Sequence, residues 1–246
     1  MLYHPTVDKL HGLRLFGMAK ALEEQGQHEQ YTTLNFEDRL GFMVDRELTE
    51  RENQQLQSRL RKAKLRLTAA VEDIDFRHPR GLDKSLLMVL ASCQWIKEHQ
   101  NCLITGPTGV GKSYIACALA HKACREGYKT AYLRASRMFD DLAIAKADGR
   151  YHKLLAGYGR LDLLVIDDWG LAPLTDEQRR DLLEIIDERH ERRSTLLTSQ
   201  MPVSKWHTII GDPTIADAIL DRLVHSAHHL ALKGDSLRKK GKKTES

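Results

Sequence analysis

One octapeptide constrains the fold of this chain more than any other feature. Gly106-Pro107-Thr108-Gly109-Val110-Gly111-Lys112-Ser113 reads GxxxxGK[ST], and it sits between an apolar run, Cys102–Thr105, and a stretch of helical character from Lys112 to Glu126. A strand that turns through glycines into a helix wraps backbone amides around an anion and adds the positive end of the helix dipole. In such a loop the lysine reaches the β- and γ-phosphates of ATP and the hydroxyl ligates Mg²⁺. The motif therefore predicts a nucleotide site made of Gly106, Pro107, Thr108, Gly109, Val110, Gly111, Lys112, Ser113 and the adjoining Tyr114. A glycine-rich turn arising by chance would lack the strand before it and the helix after it.

The residues around this loop alternate in the way a doubly wound parallel sheet requires. Helical periodicity covers about 83–98, and Gly127 is placed to stop the helix that opens at Lys112. The strand 130–134 follows, then a helical region across 136–156. Leu161–Ile166 is almost purely apolar, as a central parallel strand should be. A helix over 175–190, a strand over 195–198, a helix over 212–225 and a last strand near 227–232 complete the pattern. The first part of the chain reads differently. Residues 1–30 have helical spacing, with Gly26 placed to end it, and a second helix starts near Asn35. Thr49 with Glu52 forms a capping-box pattern that predicts the start of a third. The expected organisation is a helical domain over 1–68, a linker over 69–82 containing His78-Pro79-Arg80-Gly81, an ATPase domain over 83–233, and a flexible basic tail over 234–246.

A P-loop enzyme needs an acid at the tip of a nearby strand. Leu163 to Ile166 lead into Asp167-Asp168. Asp167 is the expected Mg²⁺-side carboxylate, and Asp168 stands where a base would polarise the attacking water. Glutamate is commoner there; aspartate is one methylene shorter. An acidic pair capping a helix is the plainer reading. The strand 195–198 ends in Ser199-Gln200, and either side chain is a candidate to sense the γ-phosphate, or a simple strand-end turn. Arg222, preceded by Asp221, could neutralise transition-state charge at a neighbouring subunit's nucleotide. That role needs head-to-tail assembly, giving rings or open helices; a surface ion pair is the alternative. His225, His228 and His229 straddle a helix-to-strand change with no acid to complete a metal set.

Charge points to a polyanionic partner. The 246 residues carry a net charge of +4. Residues 46–66 alone contain seven Arg/Lys against three Glu, and residues 233–246 contain six against two acids, so the remainder is net negative. Candidate DNA contacts are Arg46, Arg51, Arg59, Arg61, Lys62 and Lys64, with Lys146, Arg150 and Lys153 in the 136–156 region. Acids first and bases last also suits a helix dipole, but the surplus of bases exceeds that need. The basic helix has no aromatic residue for stacking, which favours duplex over single-stranded DNA. Cys93, Cys102, Cys117 and Cys124 form no CxxC pair and read as buried reduced thiols. No run of 18 or more apolar residues predicts a membrane span. The first 30 residues lack the apolar stretch of a signal peptide, so a cytoplasmic location is expected.

Taken together, these motifs resemble the IstB-type ATP-binding helper proteins of insertion sequences, relatives of the DnaC/DnaI replicative helicase loaders. The markers are Leu13 to Ala19, Phe36 to Glu47, Arg80 to Lys84, the P-loop, Asp167 to Gly170, Thr198 to Gln200, Lys205-Trp206, Gly211 to Pro213, Asp221 to His225 and Gly234 to Arg238. The resemblance implies an AAA+ P-loop NTPase core, a five-stranded parallel sheet flanked by helices, behind a small helical N-terminal domain; this chain departs from that pattern in ending too soon after its last strand for a full lid. It implies slow, regulatory ATP hydrolysis, self-assembly on duplex DNA, and assistance to the element's transposase in target selection and transposition. It makes Lys112, Ser113, Asp167 and Asp168 the Walker residues, Gln200 or Ser199 sensor 1, and Arg222 the arginine finger. It also places a nucleic-acid-contacting helix at 136–156, and leaves Arg238 as the nearest substitute for a sensor 2 arginine. The competing readings are a helicase loader of the DnaC/DnaI type, whose N-terminal domain would grip a helicase, and a metabolic kinase, against which the basic helix argues.

Overall fold

The computed structural model describes residues 5–31 and 33–237. The chain forms two compact units, Met1–Ser58 and Arg59–Ser246.

The first unit holds α1 (Pro5–Gly12), α2 (Phe16–Gln27) and most of α3 (Phe36–Ala63). Its small core joins Val7, Leu10 and Ala19. The helix expected over 1–30 is broken where Arg14 takes a left-handed φ of 60°, so α1 and α2 can fold against each other. A Cβ on Gly17 would lie 2.5 Å from the Arg46 carbonyl and 2.6 Å from the Glu47 Cα. Only glycine lets α2 approach the α3 backbone this closely. The Glu47 carboxylate then accepts hydrogen bonds from the Gly17 and Met18 amides at 2.8 and 3.3 Å, satisfying otherwise orphaned donors at the start of α2. The helix start expected at Thr49 does not occur. α3 runs uninterrupted for 28 residues, and Thr49 Oγ1 donates to the Asp45 carbonyl one turn back at 2.9 Å. A threonine can satisfy its hydroxyl this way inside a helix, so the capping-box pattern misled. The real start is marked by Asn35, whose Oδ1 accepts from the Asp38 amide at 2.8 Å.

The second unit contains α4 (Lys84–Ala91), α5 (Gln94–Lys97), β1 (Asn101–Thr105), α6 (Lys112–Arg125), β2 (Thr130–Arg134), α7 (Ala135–Ala147), α8 (Tyr151–Gly159), β3 (Leu163–Trp169), α9 (Asp176–Arg189), β4 (Ser194–Ser199), α10 (Trp206–Ile210), α11 (Pro213–Val224) and β5 (Ala227–Ala231). The strands form one parallel sheet in the order β2-β3-β4-β1-β5. One face packs against α6, with Ile115 and Leu119 buried on Cys102, Ile104 and Val165. The other packs against α7, α9 and α11, with Met138, Leu182 and Ile219 buried on Leu103, Leu164 and Leu197. The expected 136–156 helix is two helices, α7 and α8, separated at Gly149, whose φ is 77°. The four cysteines are buried and free.

Residues 69–82, expected as a linker, belong to the core of this unit. Ala69, Val71 and Ile74 are buried with Leu87, Leu90 and Ile115, and Arg80 is buried beside the glycine loop. Their short apolar runs are too brief to register as a periodic element. At the other end, residues 232–237 lie along the loop: the Leu232 amide donates to the Thr105 carbonyl at 2.7 Å and the Leu237 amide to the Gly109 carbonyl at 2.9 Å. The expected flexible tail therefore begins as a strap on the P-loop; its remainder, including Arg238, lies outside the described residues.

Candidate nucleotide site

Because all five strands are parallel, the loops after β1, β3 and β4 open at the same edge of the sheet. β4 lies between β1 and β3, pairing Thr105 with Ser199 on one side and Ile166 with Leu197 on the other. Gly106, Asp167 and Gln200 thus meet although up to 94 residues separate them. A cavity of about 540 Å³ opens here, lined among others by Thr108, Gly109, Lys112, Ser113, Asp168 and Gln200.

The loop itself is glycine-dependent. Gly106, Gly109 and Gly111 all have positive φ. A Cβ on Gly111 would come within 2.5 Å of the Arg80 guanidinium. Arg80 donates to the Val110 carbonyl at 3.1 Å and to the Asp75 carbonyl at 3.0 Å, so it braces the loop from the segment ahead of the sheet. Lys112 is buried, with Nζ held over the Gly106 and Pro107 carbonyls at 2.8 and 2.9 Å. Its ammonium lies within the loop that would wrap phosphates. Among the side chains lining the cavity, His78 Nδ1 and Arg80 Nε are buried without a hydrogen-bond partner in the protein.

Asp167 is fully buried. Three hydroxyls serve it: Ser113 Oγ at 2.9 and 3.0 Å from its two oxygens, Thr198 Oγ1 at 2.5 Å, and the Tyr132 phenol. Burial, and then the hydrogen bond to Asp167, push Tyr132 far above the usual phenol range, so it stays a donor. The oxygens of Ser113 and Asp167 form a hard set suited to Mg²⁺. A buried carboxylate bonded to neutral hydroxyls, with Arg66 Nη1 no closer than 3.9 Å, also suits a divalent ion. When bound, Mg²⁺ would screen phosphate charge, and Ser113 and Asp167 could hold it.

Asp168 departs from regular strand. Its φ is 59°, and the β3–β4 register slips between Ile166 and Trp169. Such bulges re-aim a side chain. The Asp168 amide donates to Thr198 Oγ1 at 3.1 Å, so one threonine hydroxyl ties down both acids. The Asp168 carboxylate lines the cavity, with Arg66 and Arg134 each 3.9 Å from Oδ2. Of the two sensor candidates, Ser199 is buried and donates to the Trp169 carbonyl at 2.9 Å. Gln200 lines the cavity and accepts from Thr108 Oγ1 at 2.7 Å.

Arg222 stands at the opposite edge of the sheet. The Asn101 amide side chain, at the start of β1, donates to the Arg222 carbonyl at 3.1 Å, and roughly 3.3 Å per residue along β1 separates that edge from the P-loop. Its guanidinium pairs with Asp187 at 2.5 Å and donates to the Ala218 carbonyl at 2.8 Å. It does not serve its own chain's site.

The basic residues divide. Lys146 braces α7 against α9, bonding Glu177 at 2.8 Å and Asp181 at 2.6 Å. Arg150 pairs with Asp148, Arg46 with Glu24 at 3.3 Å and Arg51 with Glu47 at 2.7 Å. Arg59 donates to the Cys124 carbonyl at 2.8 Å. Arg61, Lys62, Lys64 and Lys153 are exposed. Sequence reasoning did not single out Tyr132, Thr198, Arg66 or Arg80 as site residues. Thr198 adjoined the flagged Ser199-Gln200, Arg80 stood among the markers of the resemblance and Arg66 in the basic segment, but none of the four carried a local signal for this site.

A five-stranded parallel sheet with the P-loop strand separated from the acid-bearing strand by one other defines an AAA+ P-loop protein. Sequence comparison then narrows the class. The family described as IstB-like ATP binding protein matches residues 8–245, and the chain belongs to it. It is 52% identical to the "Putative insertion sequence ATP-binding protein y4pL" of Sinorhizobium fredii (strain NBRC 101917 / NGR234), over 97% of this chain and 98% of that one. Among solved structures, the fold is similar to DnaI (TM-score 0.58, 19% identity, 68% of this chain and 92% of that one). It is also similar to the DnaC helicase loader (TM-score 0.55, 18% identity, 67% and 97%). These are likenesses of fold. No helix among the described residues is long and apolar enough to cross a membrane.

Proposed function

We propose that this protein is an ATP-dependent DNA-binding ATPase that assembles on duplex DNA and assists a transposase in target selection. The observation that carries the nucleotide half is the bond from Ser113 to Asp167 across β4, beside the Lys112 loop. In this reading the loop amides and Lys112 hold the ATP phosphates, and Ser113 and Asp167 hold Mg²⁺. Asp168 orients the attacking water and Gln200, tethered to Thr108, reads the γ-phosphate. Arg222 is offered from one subunit to the next subunit's site, which its place at the far sheet edge supports. The DNA half draws on the exposed Arg61, Lys62, Lys64 and Lys153, whereas Lys146 is committed within the fold. Near full-length similarity to an insertion sequence protein favours the transposition role over a helicase loader.

The test is assembly itself. With Mg²⁺-ATP and duplex DNA, light scattering and electron microscopy should show oligomers that Lys112→Ala abolishes. Monomers under every condition would sink the assembly reading.

A further inference from the structure

At the sheet edge opposite the nucleotide cavity, two helix ends meet at one ion pair. Asp187 lies in the last turn of α9 and Arg222 in the last turn of α11, with Oδ1 and Nε 2.5 Å apart. A buried side chain pins each end to the sheet. Asn101, at the start of β1, donates from Nδ2 to the Arg222 and Leu223 carbonyls at 3.1 and 3.2 Å. The end of a helix otherwise leaves such acceptors orphaned. Arg189, two residues beyond Asp187 and 1% exposed, donates to the Leu161 carbonyl at 3.0 Å and to the Ser194 carbonyl. Both pins converge on Thr195, near the start of β4. Its amide donates to Asn101 Oδ1 at 2.9 Å, and its hydroxyl accepts from Arg189 Nε at 3.1 Å. The ion pair is therefore registered to the same strand that carries Thr198 to Asp167.

The guanidinium is held in a particular way. Nη1 donates to the Ala218 carbonyl at 2.8 Å, and Asp187 approaches Nε. Two of its three nitrogens are thus committed, while Nη2 makes no hydrogen bond among the described residues. A carboxylate that masked the group would take both terminal nitrogens, fork to fork. One at Nε leaves a terminal nitrogen to present. Arg222 and Asp187 are 31% and 47% exposed, and pairs so solvated contribute little to stability. What the pair supplies is orientation. An unrestrained arginine spreads over several rotamers in water, and a charge stabilises a transition state most when it is aimed in advance.

We propose that Asp187 is a positioning residue for the arginine finger: it holds the Arg222 guanidinium in one orientation, so that each subunit offers a pre-aimed charge to the γ-phosphate of ATP in the next. The inference rests on the finger reading above and deepens it. Asp187 acts through Arg222 alone, without touching nucleotide or attacking water.

The full-length protein, assembled with Mg²⁺-ATP and duplex DNA, tests this as a double-mutant cycle over Asp187→Asn, Arg222→Ala and the two combined. Asp187→Asn should cut kcat by about ten- to a hundredfold, the order of effect of a misaimed group. ATP affinity, assembly by light scattering and the urea midpoint should not change. Added to Arg222→Ala, Asp187→Asn should lower kcat no further, since no guanidinium remains to aim. Normal or raised kcat in Asp187→Asn beside an impaired Arg222→Ala overturns the inference alone. So does weakened ATP binding or assembly in Asp187→Asn, and so does an equal loss from it in the Arg222→Ala background. Normal turnover in Arg222→Ala is a different result: it sinks the finger reading, and the inference falls with it.

Discussion

Replacing Thr198 by valine removes one hydroxyl and nearly nothing else, yet that hydroxyl makes two bonds. It donates to the buried Asp167 carboxylate at 2.5 Å and accepts from the Asp168 amide at 3.1 Å. A hydrogen bond to a charged group contributes about 1.5–3 kcal/mol, and a partly buried amide left unpaired costs about 1 kcal/mol. The methyl of valine fills the space of the hydroxyl, so no cavity term is added. The expected loss is about 3 kcal/mol, which for a unit of this size lowers the melting temperature by about 6–12 °C. All three tryptophans, Trp95, Trp169 and Trp206, are buried in this unit, so their fluorescence follows its unfolding by urea at neutral pH. Thr198→Ser keeps the hydroxyl and should lose about 1 kcal/mol. Because Thr198 also holds Asp168 in its left-handed conformation, turnover should fall in the valine variant beyond any effect on folding. A valine variant within about 1 kcal/mol of wild type, or no worse than the serine variant, would refute the reasoning that Thr198 anchors both acids.

Two other expectations follow from the geometry. The hydrogen bond from Arg51 holds the Glu47 carboxyl below the usual carboxylate range, as do the Met18 and Gly17 amides against the opposing effect of burial. A depressed carboxylate contributes stability that is present above the unfolded value and lost as pH falls through the folded one. Protection of the Gly17 and Met18 amides, read as exchange relative to the intrinsic rate at each pH, should therefore be high at neutral pH and fall as pH drops through the lowered Glu47 value, and Glu47→Gln should lack it throughout. Arg222→Ala should leave ATP affinity intact and cut turnover by roughly a thousandfold or more, the effect of losing an arginine finger. Normal turnover would leave Arg222 as the partner of Asp187 and no more.

The conformation of the loop was legible in the sequence because its requirements are local. Gly111 must adopt a positive φ to start α6, Lys112 and Ser113 follow at fixed offsets, and an apolar run must come before. The apolar run ending in Asp167 and the alternation of strands with helices were legible for the same reason, since backbone periodicity and side-chain character are written residue by residue. Thr49 shows the limit of local reading: one pattern suits both a helix start and a helix interior, and the uninterrupted path of α3 chose the second. Strand order was not written in the local pattern; the place of the strand 195–198 between the two motifs came with the sensor reading and the AAA+ resemblance. The folded sheet inserts β4 between β1 and β3, and that insertion gives Asp167 the Thr198 hydroxyl and puts Gln200 beside Thr108. The burial of 69–82, the brace from Arg80, the withdrawal of Lys146 into α9, and the approach of Arg66 and Arg134 to Asp168 are likewise contacts between residues far apart in the chain. Local composition carries no record of such contacts, because their free energy comes from burial and charge pairing that exist only once the sheet has closed.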